Sequence, residues 1–338
     1  MRVRSITRDE VESFAAIEQL PAQSRELAQY VRESWKRGEG RPEWCFVIED
    51  EQRRIIGRIA YWALPPSEQP EQIDLLEIPW DEGYLDVGRC LLSTSLEMLR
   101  AKGARSISYN VVVPLNPDSP VHRTYVWDDL VKGTLSKRCT LLESVGFSRI
   151  RDGLRFQWTD TPSAPRTARV DVLKFLGLPE VGDERFIDAM RRVSENTLDR
   201  NFRREQLELG GERSAREHFR RLKRLTHKPE WWQLAFEGDG ELVGLVVPAA
   251  NDGGPIIAYV GVVPGRRGRG HIDTLLAWGT SVLRSEGARR IRADTDVANT
   301  PMVAAFERAG YERFAKRLDY SMELPDYRPT IAQGRLAR

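Results

Sequence analysis

Residues Tyr259 to Asp273 read Tyr-Val-Gly-Val-Val-Pro-Gly-Arg-Arg-Gly-Arg-Gly-His-Ile-Asp, and Thr274-Leu275-Leu276-Ala277-Trp278 follow them. The order runs from β-branched residues through a proline and a basic, glycine-rich loop to apolar residues at helical spacing, which predicts strand, loop and helix. Such a junction binds anions. Its glycines let successive backbone N–H groups converge on one point, and the helix N-terminus adds free amides and the positive end of its dipole. Arg266, Arg267 and Arg269 add charge suited to a phosphate or pyrophosphate. The loop is too short for a P-loop and lacks the closing Lys-Ser/Thr, and its glycines do not have the dinucleotide-fold spacing. Further on, Asp294 and Asp296 share one parity at the end of a strand. A carboxylate pair there can hold a cationic amine or accept its proton, and Asp296 can equally cap the helix starting near Asn299.

Val262 to Gly270 resembles the acetyl-coenzyme A loop of the GNAT superfamily of N-acetyltransferases, Val-x-Pro-x-x-Arg-Gly-x-Gly before a Leu-rich helix, with Ile272 where a small residue is usual. The segment Asn299 to Tyr311 is similar to the GNAT pattern Asn-x-x-Ala-x-x-Leu-Tyr-x-x-x-Gly-Phe. Phe306 stands where the family's acid is a tyrosine. The resemblance implies an α/β (α+β) fold with a mixed, largely antiparallel central sheet flanked by helices. It also implies transfer of an acetyl group from acetyl-coenzyme A to an amine. The pantetheine arm is then expected beside Tyr259 to Val263 at a splay or bulge, with the amides of Arg267, Gly268, Arg269, Gly270 and His271 on the pyrophosphate. An N–H near Val262 and Val263 is expected on the oxyanion, and Asn299 and Phe306 near the cofactor. Since a phenyl ring gives no proton, either water or another residue serves, or this copy is not a transferase; Tyr259 is a candidate substitute acid or a packed strand residue, and Asp294 and Asp296 are the candidates on the acceptor side.

The elements that would position these residues occur twice. Trp44 to Gly57 aligns without gaps on Trp231 to Gly244, each a strand, charged turn and strand. Leu91 to Arg105 matches Leu275 to Arg289, an amphipathic helix closed by glycine, and Leu141 to Phe147 matches Ala305 to Tyr311. Two tandem GNAT folds are therefore expected: residues 1–160 degenerate, 166–324 intact, and 325–338 a tail. In the first, Gly83-Tyr84-Leu85-Asp86 takes the place of Arg267 to Gly270, and Asp81, Glu82 and Asp86 would repel a pyrophosphate. Asp160 to Arg166 reads as the linker, and Pro114 to Lys137 as an insertion whose Tyr125 and Trp127 line a cleft or pack its core. Leu198 to Glu212 reads as a solvated charged loop, and the resemblance implies instead that this region covers the acceptor site.

The 338 residues carry a net charge of +2, which argues against a dedicated nucleic-acid or membrane binder. Cys45, Cys90 and Cys139 form no Cys-x-x-Cys pair, and the start of the chain has no basic-then-apolar leader, so the expectation is a reduced, cytoplasmic protein. His122, His218, His227 and His271 lack metal-ligand spacing, so no metal is expected. The expected acceptor is a small cationic amine and the expected state a monomer or weak homodimer. The competing readings are a non-catalytic acyl-coenzyme A sensor and an RNA-associated factor using Arg266 to Arg269.

Overall fold

The computed structural model describes residues 1–16, 21–115, 133–161, 173–251 and 253–325. Of these, 1–111, 133–149 and 319–325 form one compact unit, and 112–115 and 150–318 a second. Tyr125 and Trp127, most of the linker and the tail lie outside the described residues.

In the first unit, β1 (Arg2–Ser5) pairs antiparallel with β2 (Cys45–Glu49), β2 with β3 (Ile55–Trp62), and β3 with β4 (Gln72–Glu77). All five residues of β2 are buried, because sheet partners flank it and helices α1 (Val11–Ala15) and α2 (Pro21–Arg37) cover one face with Phe14, Leu27 and Val31. Helix α3 (Tyr84–Ala101) then crosses to β5 (Ser106–Pro114), which runs parallel to β4. That pairing stops after Ile73↔Tyr109, and α4 (Leu135–Val145) follows.

The second unit repeats this plan. β7 (Lys174–Gly177), β8 (Gln233–Phe236), β9 (Leu242–Asn251) and β10 (Gly254–Val262) form an antiparallel series, and β11 (Arg290–Asp296) lies parallel to β10. One face carries α5 (Leu178–Val181), α6 (Asp183–Ser194), α7 (Arg200–Leu209) and α8 (Gly211–Lys223), with Phe186, Phe219 and Trp232 packed on Leu245 and Val247. The other face carries α9 (His271–Ser285) and α10 (Thr300–Arg308), with Leu275, Leu276 and Phe306 over Val246, Ile257 and Val262. The glycines expected to close α3 and α9 do so in the same way. Gly103 and Gly287 have φ of 102° and 91°, and the next amide reaches back to Leu99 and Leu283 respectively, both at 3.1 Å.

Two features depart from the sequence reading. Leu198 to Glu212 is largely helix α7 rather than a loop, because Asp199 accepts from the amides of Asn201 (3.0 Å) and Phe202 (3.2 Å) and nucleates the first turn. The units also divide the chain at points other than the repeat. β6 (Ser148–Thr159), the last strand of the first repeat, pairs antiparallel with β11 from Arg290↔Thr159 to Asp296↔Gly153, so its residues from Ile150 onward belong to the second unit. β12 (Glu312–Glu323) closes the chain.

Candidate active site

Where β10 runs beside β9 its register slips between Ile257 and Tyr259, leaving Ala258 as an extra residue. The bulge turns β10, and its parallel pairing with β11 ends at Ile256↔Arg292. Val263 donates to the Val243 carbonyl at 2.9 Å, so antiparallel alternation points the backbone groups of Val260 and Val262 away from β9, into the opened edge. The splay expected beside Tyr259 to Val263 is therefore present.

The edge leads directly into the glycine-rich loop. A single 3-10 turn over Pro264–Arg266 takes up the amides of Arg266 and Arg267, which bond to Val263 (2.9 Å) and Pro264 (3.3 Å). Gly268 and Gly270 then adopt φ of 76° and 82°, and Gly270 caps α9. Among the described residues no group accepts from the amides of Gly268, Arg269, Gly270, His271 or Ile272. The three arginines have separate tasks. Arg266 pairs with Glu237 and, at 3.3 Å, with Asp239. Arg267 turns inward, donating Nε to Val262 O (3.0 Å) and Nη2 to the carbonyls of Val193 (2.9 Å) and Glu195 (2.8 Å). Its side chain thus fastens the loop to the end of α6. Arg269 is exposed and has no acidic partner among the described residues. His271 Nε2 lies 3.1 Å from Glu237 Oε1 but off the N–H axis, an ion-pair distance without a hydrogen bond.

The acceptor-side residues are arranged differently from the sequence expectation. Asp294 is clamped by Arg151 Nη2 at 2.9 Å and Arg317 Nη1 at 2.8 Å. Burial alone would raise its pKa, but the guanidiniums of Arg317 and Arg151 outweigh it and hold the carboxyl well below the usual carboxylate range. It is thus a poor proton acceptor. Asp296 is fully buried and accepts from the amides of Ala298 (2.8 Å) and Arg200 (3.1 Å), fastening α7 to the end of β11. Arg151 Nη2 also reaches Asp199 Oδ2 at 3.3 Å. Asn299 caps α10, accepting from Met302 at 3.4 Å. Phe306 is core, stacked 5.1 Å from Phe156 and edge-on to Tyr311, with no water contact to suit a proton donor. Tyr259 is packed against Phe202 and His218, and its hydroxyl has no partner among the described residues. Burial, then the nearby Asp199, pushes its phenol up, so it keeps its proton at neutral pH.

Sequence reasoning missed Asp199, whose signal was an Asp three residues before Phe202 at a helix start. Arg151 gave none, since its partner Asp294 is 143 residues away. Because the folded pKa of Asp294 is depressed, its stabilisation is present above the unfolded value of about 4 and is lost as pH falls through the folded one. Asp294→Asn should cost about 2 kcal/mol near neutral pH, and the gap to wild type should narrow below about pH 4, as thermal unfolding across pH would measure.

The comparisons with known proteins bear on this geometry. Residues 196–311 match the model of the acetyltransferase (GNAT) family, a stretch that contains α7, the splayed β10, the loop and α10. These residues are a GNAT acetyltransferase domain. Among solved structures, a GCN5-related N-acetyltransferase from Sphaerobacter thermophilus is 18% identical, covers 96% of this chain and 95% of its own, and superposes with a TM-score of 0.59. A tandem GNAT protein from the clavulanic acid biosynthesis pathway is 16% identical, with 97% and 100% covered and a TM-score of 0.51. The glucosamine N-acetyltransferase region of a fungal multi-domain GH3 β-N-acetylglucosaminidase is 14% identical, with 94% and 38% covered and a TM-score of 0.56. At these identities the likeness is one of fold, and it extends over both halves of the chain. A search of curated proteins finds no match.

The first unit holds the GNAT scaffold with its slot filled. Asp81 Oδ1 accepts from the Gly83 amide at 3.1 Å, so the loop's own carboxylate occupies a group the GNAT domain leaves open. Arg138 of α4 is 1% exposed and lies along the edge where β4 leaves β5, donating to Leu76 O, Tyr109 Oη (3.3 Å) and Glu77 Oε2 (2.8 Å) under Trp80. In the repeat alignment the corresponding residue of the second unit is Met302. Among the described residues no cluster of His, Cys, Asp and Glu is placed to hold a metal ion, and no helix is long and apolar enough to cross a membrane.

Proposed function

We propose that the protein is an N-acetyltransferase that moves an acetyl group from acetyl-coenzyme A to the primary amine of a small acceptor, with the reaction in the GNAT domain. The observation that carries this reading is the continuity of an open strand edge at Val260 and Val262 with five unpartnered amides from Gly268 to Ile272. An amide-bearing arm ending in a pyrophosphate requires both features, in that order along the chain. The residues present therefore fit the group. When bound, it would supply an activated acyl carbon and a thiolate leaving group.

The protein's own part is mostly positioning. The loop amides and Arg269 hold the phosphates, while Arg267 keeps the loop fixed from behind. The Val262 N–H, directed into the open edge, is placed to receive charge developing on the acyl oxygen. Tyr259, which keeps its proton at neutral pH and has its hydroxyl uncommitted, would be a hydrogen-bond donor to the departing thiolate. Asp294 orients Arg151 and Arg317 and accepts no proton.

A second reading, a coenzyme A binding protein without transfer, is favoured by one observation, the burial of Phe306 where the family's acid is a tyrosine. Calorimetric titration with acetyl-coenzyme A is expected to give one site per chain, and thiol release with a panel of amines follows. Binding without release across the panel selects the second reading, and no binding rejects both.

A further inference from the structure

Asp296 ends β11, and its carboxylate accepts from the Arg200 amide at 3.1 Å. The parallel pairing of β10 with β11 stops at Ile256↔Arg292, and four residues further along each strand Asp296 stands level with the open edge at Val260. The first turn of α7 is thereby held beside that edge, on the sheet face opposite α9. A group that approaches the edge from the α7 side passes this turn.

The turn is basic, and its charge is not neutralised. Arg200 and Arg203 lie three residues apart on one face of α7, and both are exposed. Arg203 Nη2 donates to the Thr197 carbonyl at 2.8 Å, and neither guanidinium has an acidic partner among the described residues. The neighbouring carboxylates are committed elsewhere. Asp199 has Arg151 and the two amides it caps, Asp296 has the amides of Arg200 and Ala298, and Asp294 has Arg151 and Arg317. Solvent reaches this group, since the side chains of Arg317 and Asp294 are 27% and 28% exposed. An ammonium entering here would meet guanidiniums and no uncommitted carboxylate among the described residues. The cationic acceptor expected from Asp294 and Asp296 does not suit this site.

We propose that Arg200 and Arg203 form the outer part of the acceptor site and select an amine that also carries a carboxylate, a molecule of the amino-acid class. This rests on the acetyl-transfer reading and names its substrate class. The carboxylate lies against the two guanidiniums, whose planar forks match it, and the amine points to the acyl carbon at the open edge. Both arginines are wet, so each contact contributes modestly, and the selection comes from two like charges acting together. Attack by the free amine forms the N–C bond and breaks the C–S bond. The nitrogen loses its proton to water, and the sulfur leaves as thiolate.

The test uses 5-aminopentanoate, 5-aminopentanamide and 1,5-diaminopentane, which share a five-carbon chain with a primary amine and differ in charge at the far end. With the full-length wild type at low ionic strength, kcat/KM should fall in that order, the acid about 10-fold above the amide. At 1 M salt most of that gap should vanish, because screening then acts within about 3 Å. Arg200→Glu with Arg203→Glu should invert the order and leave coenzyme A affinity unchanged, and Arg200→Lys with Arg203→Lys should keep the wild-type order. Arg213→Glu changes an exposed charge beyond the far end of α7, a helix length of about 15 Å away, and should not alter the order. Equal rates for all three amines, a wild type that prefers the diamine, or an order unmoved by the double reversal overturns the proposal. So does a loss of coenzyme A affinity in the double reversal, which would put both arginines on the cofactor. If no amine releases thiol, calorimetry of 5-aminopentanoate on coenzyme A-saturated protein decides. Binding lost in the double reversal keeps the subsite and rejects the transferase reading, whereas binding retained there, or absent from the wild type, rejects the subsite.

Discussion

Replacing Gly268 and Gly270 together by valine is expected to weaken coenzyme A binding by about 100-fold or more while the protein stays folded. The cause is conformational and not steric, since a Cβ at either position would meet nothing within 4 Å. With φ of 76° and 82°, both glycines occupy the left-handed region that a β-branched residue enters only at a cost of roughly 1–3 kcal/mol. A valine there relieves its strain by rotating the peptide plane, which redirects the unpartnered amides of Gly268 to His271. Each charge-assisted hydrogen bond lost is worth roughly 1.5–3 kcal/mol, so two account for the expected factor. Gly265 is the internal control. It has open space around it and no positive φ, so Gly265→Ala should bind as wild type. Calorimetry reads the affinity, and far-UV circular dichroism with thermal unfolding reads the fold. Wild-type affinity in the double variant would mean that the anion site lies elsewhere.

The part of this site legible in the sequence was the part made by backbone. A strand, a turn and a helix N-terminus follow from residue type and order, so the loop, the closures at Gly103 and Gly287 and the two hairpins could be read directly. Side-chain destinations could not. Arg267 looked like a phosphate ligand because nothing local reveals that four carbonyls, of Val193, Glu195, Asn196 and Val262, converge behind it. Asp294 looked like a free carboxylate because its clamp comes from β6 and β12, strands whose neighbours are set by tertiary pairing. α7 was hidden by its composition: its charged residues suggested a solvated loop, while its fixing depends on the Asp199 cap and on Asp296 of β11.

Arg138→Ala is the other large effect, expected to destabilise the first unit by roughly 3–5 kcal/mol. The substitution removes the nearest cation from a largely buried pair and leaves Glu77 with only the Trp80 indole N–H and the charge of Arg58, together with an unmet Leu76 carbonyl at the open edge of β4. Burial already pushes the Glu77 pKa up against the pull of Arg138, and without Arg138 it rises further above its unfolded value. The sign of the pH dependence follows. A group whose folded pKa is raised favours the fold below its unfolded pKa and opposes it as pH climbs, so the deficit of Arg138→Ala should be largest at neutral pH and shrink towards about pH 4. Removing both charges, Arg138→Met with Glu77→Leu, should restore most of the loss, since an apolar pair of similar size needs no desolvation of ions and methionine already serves at Met302. Urea unfolding of the single and double variants at two pH values measures both claims. Neither variant should add a second coenzyme A site, because Asp81 still occupies the Gly83 amide and the first loop has no arginine in place of Arg269. A single-variant loss below about 1 kcal/mol would show that Arg138 merely fills space, and that the slot in the first unit is closed by something other than this pair.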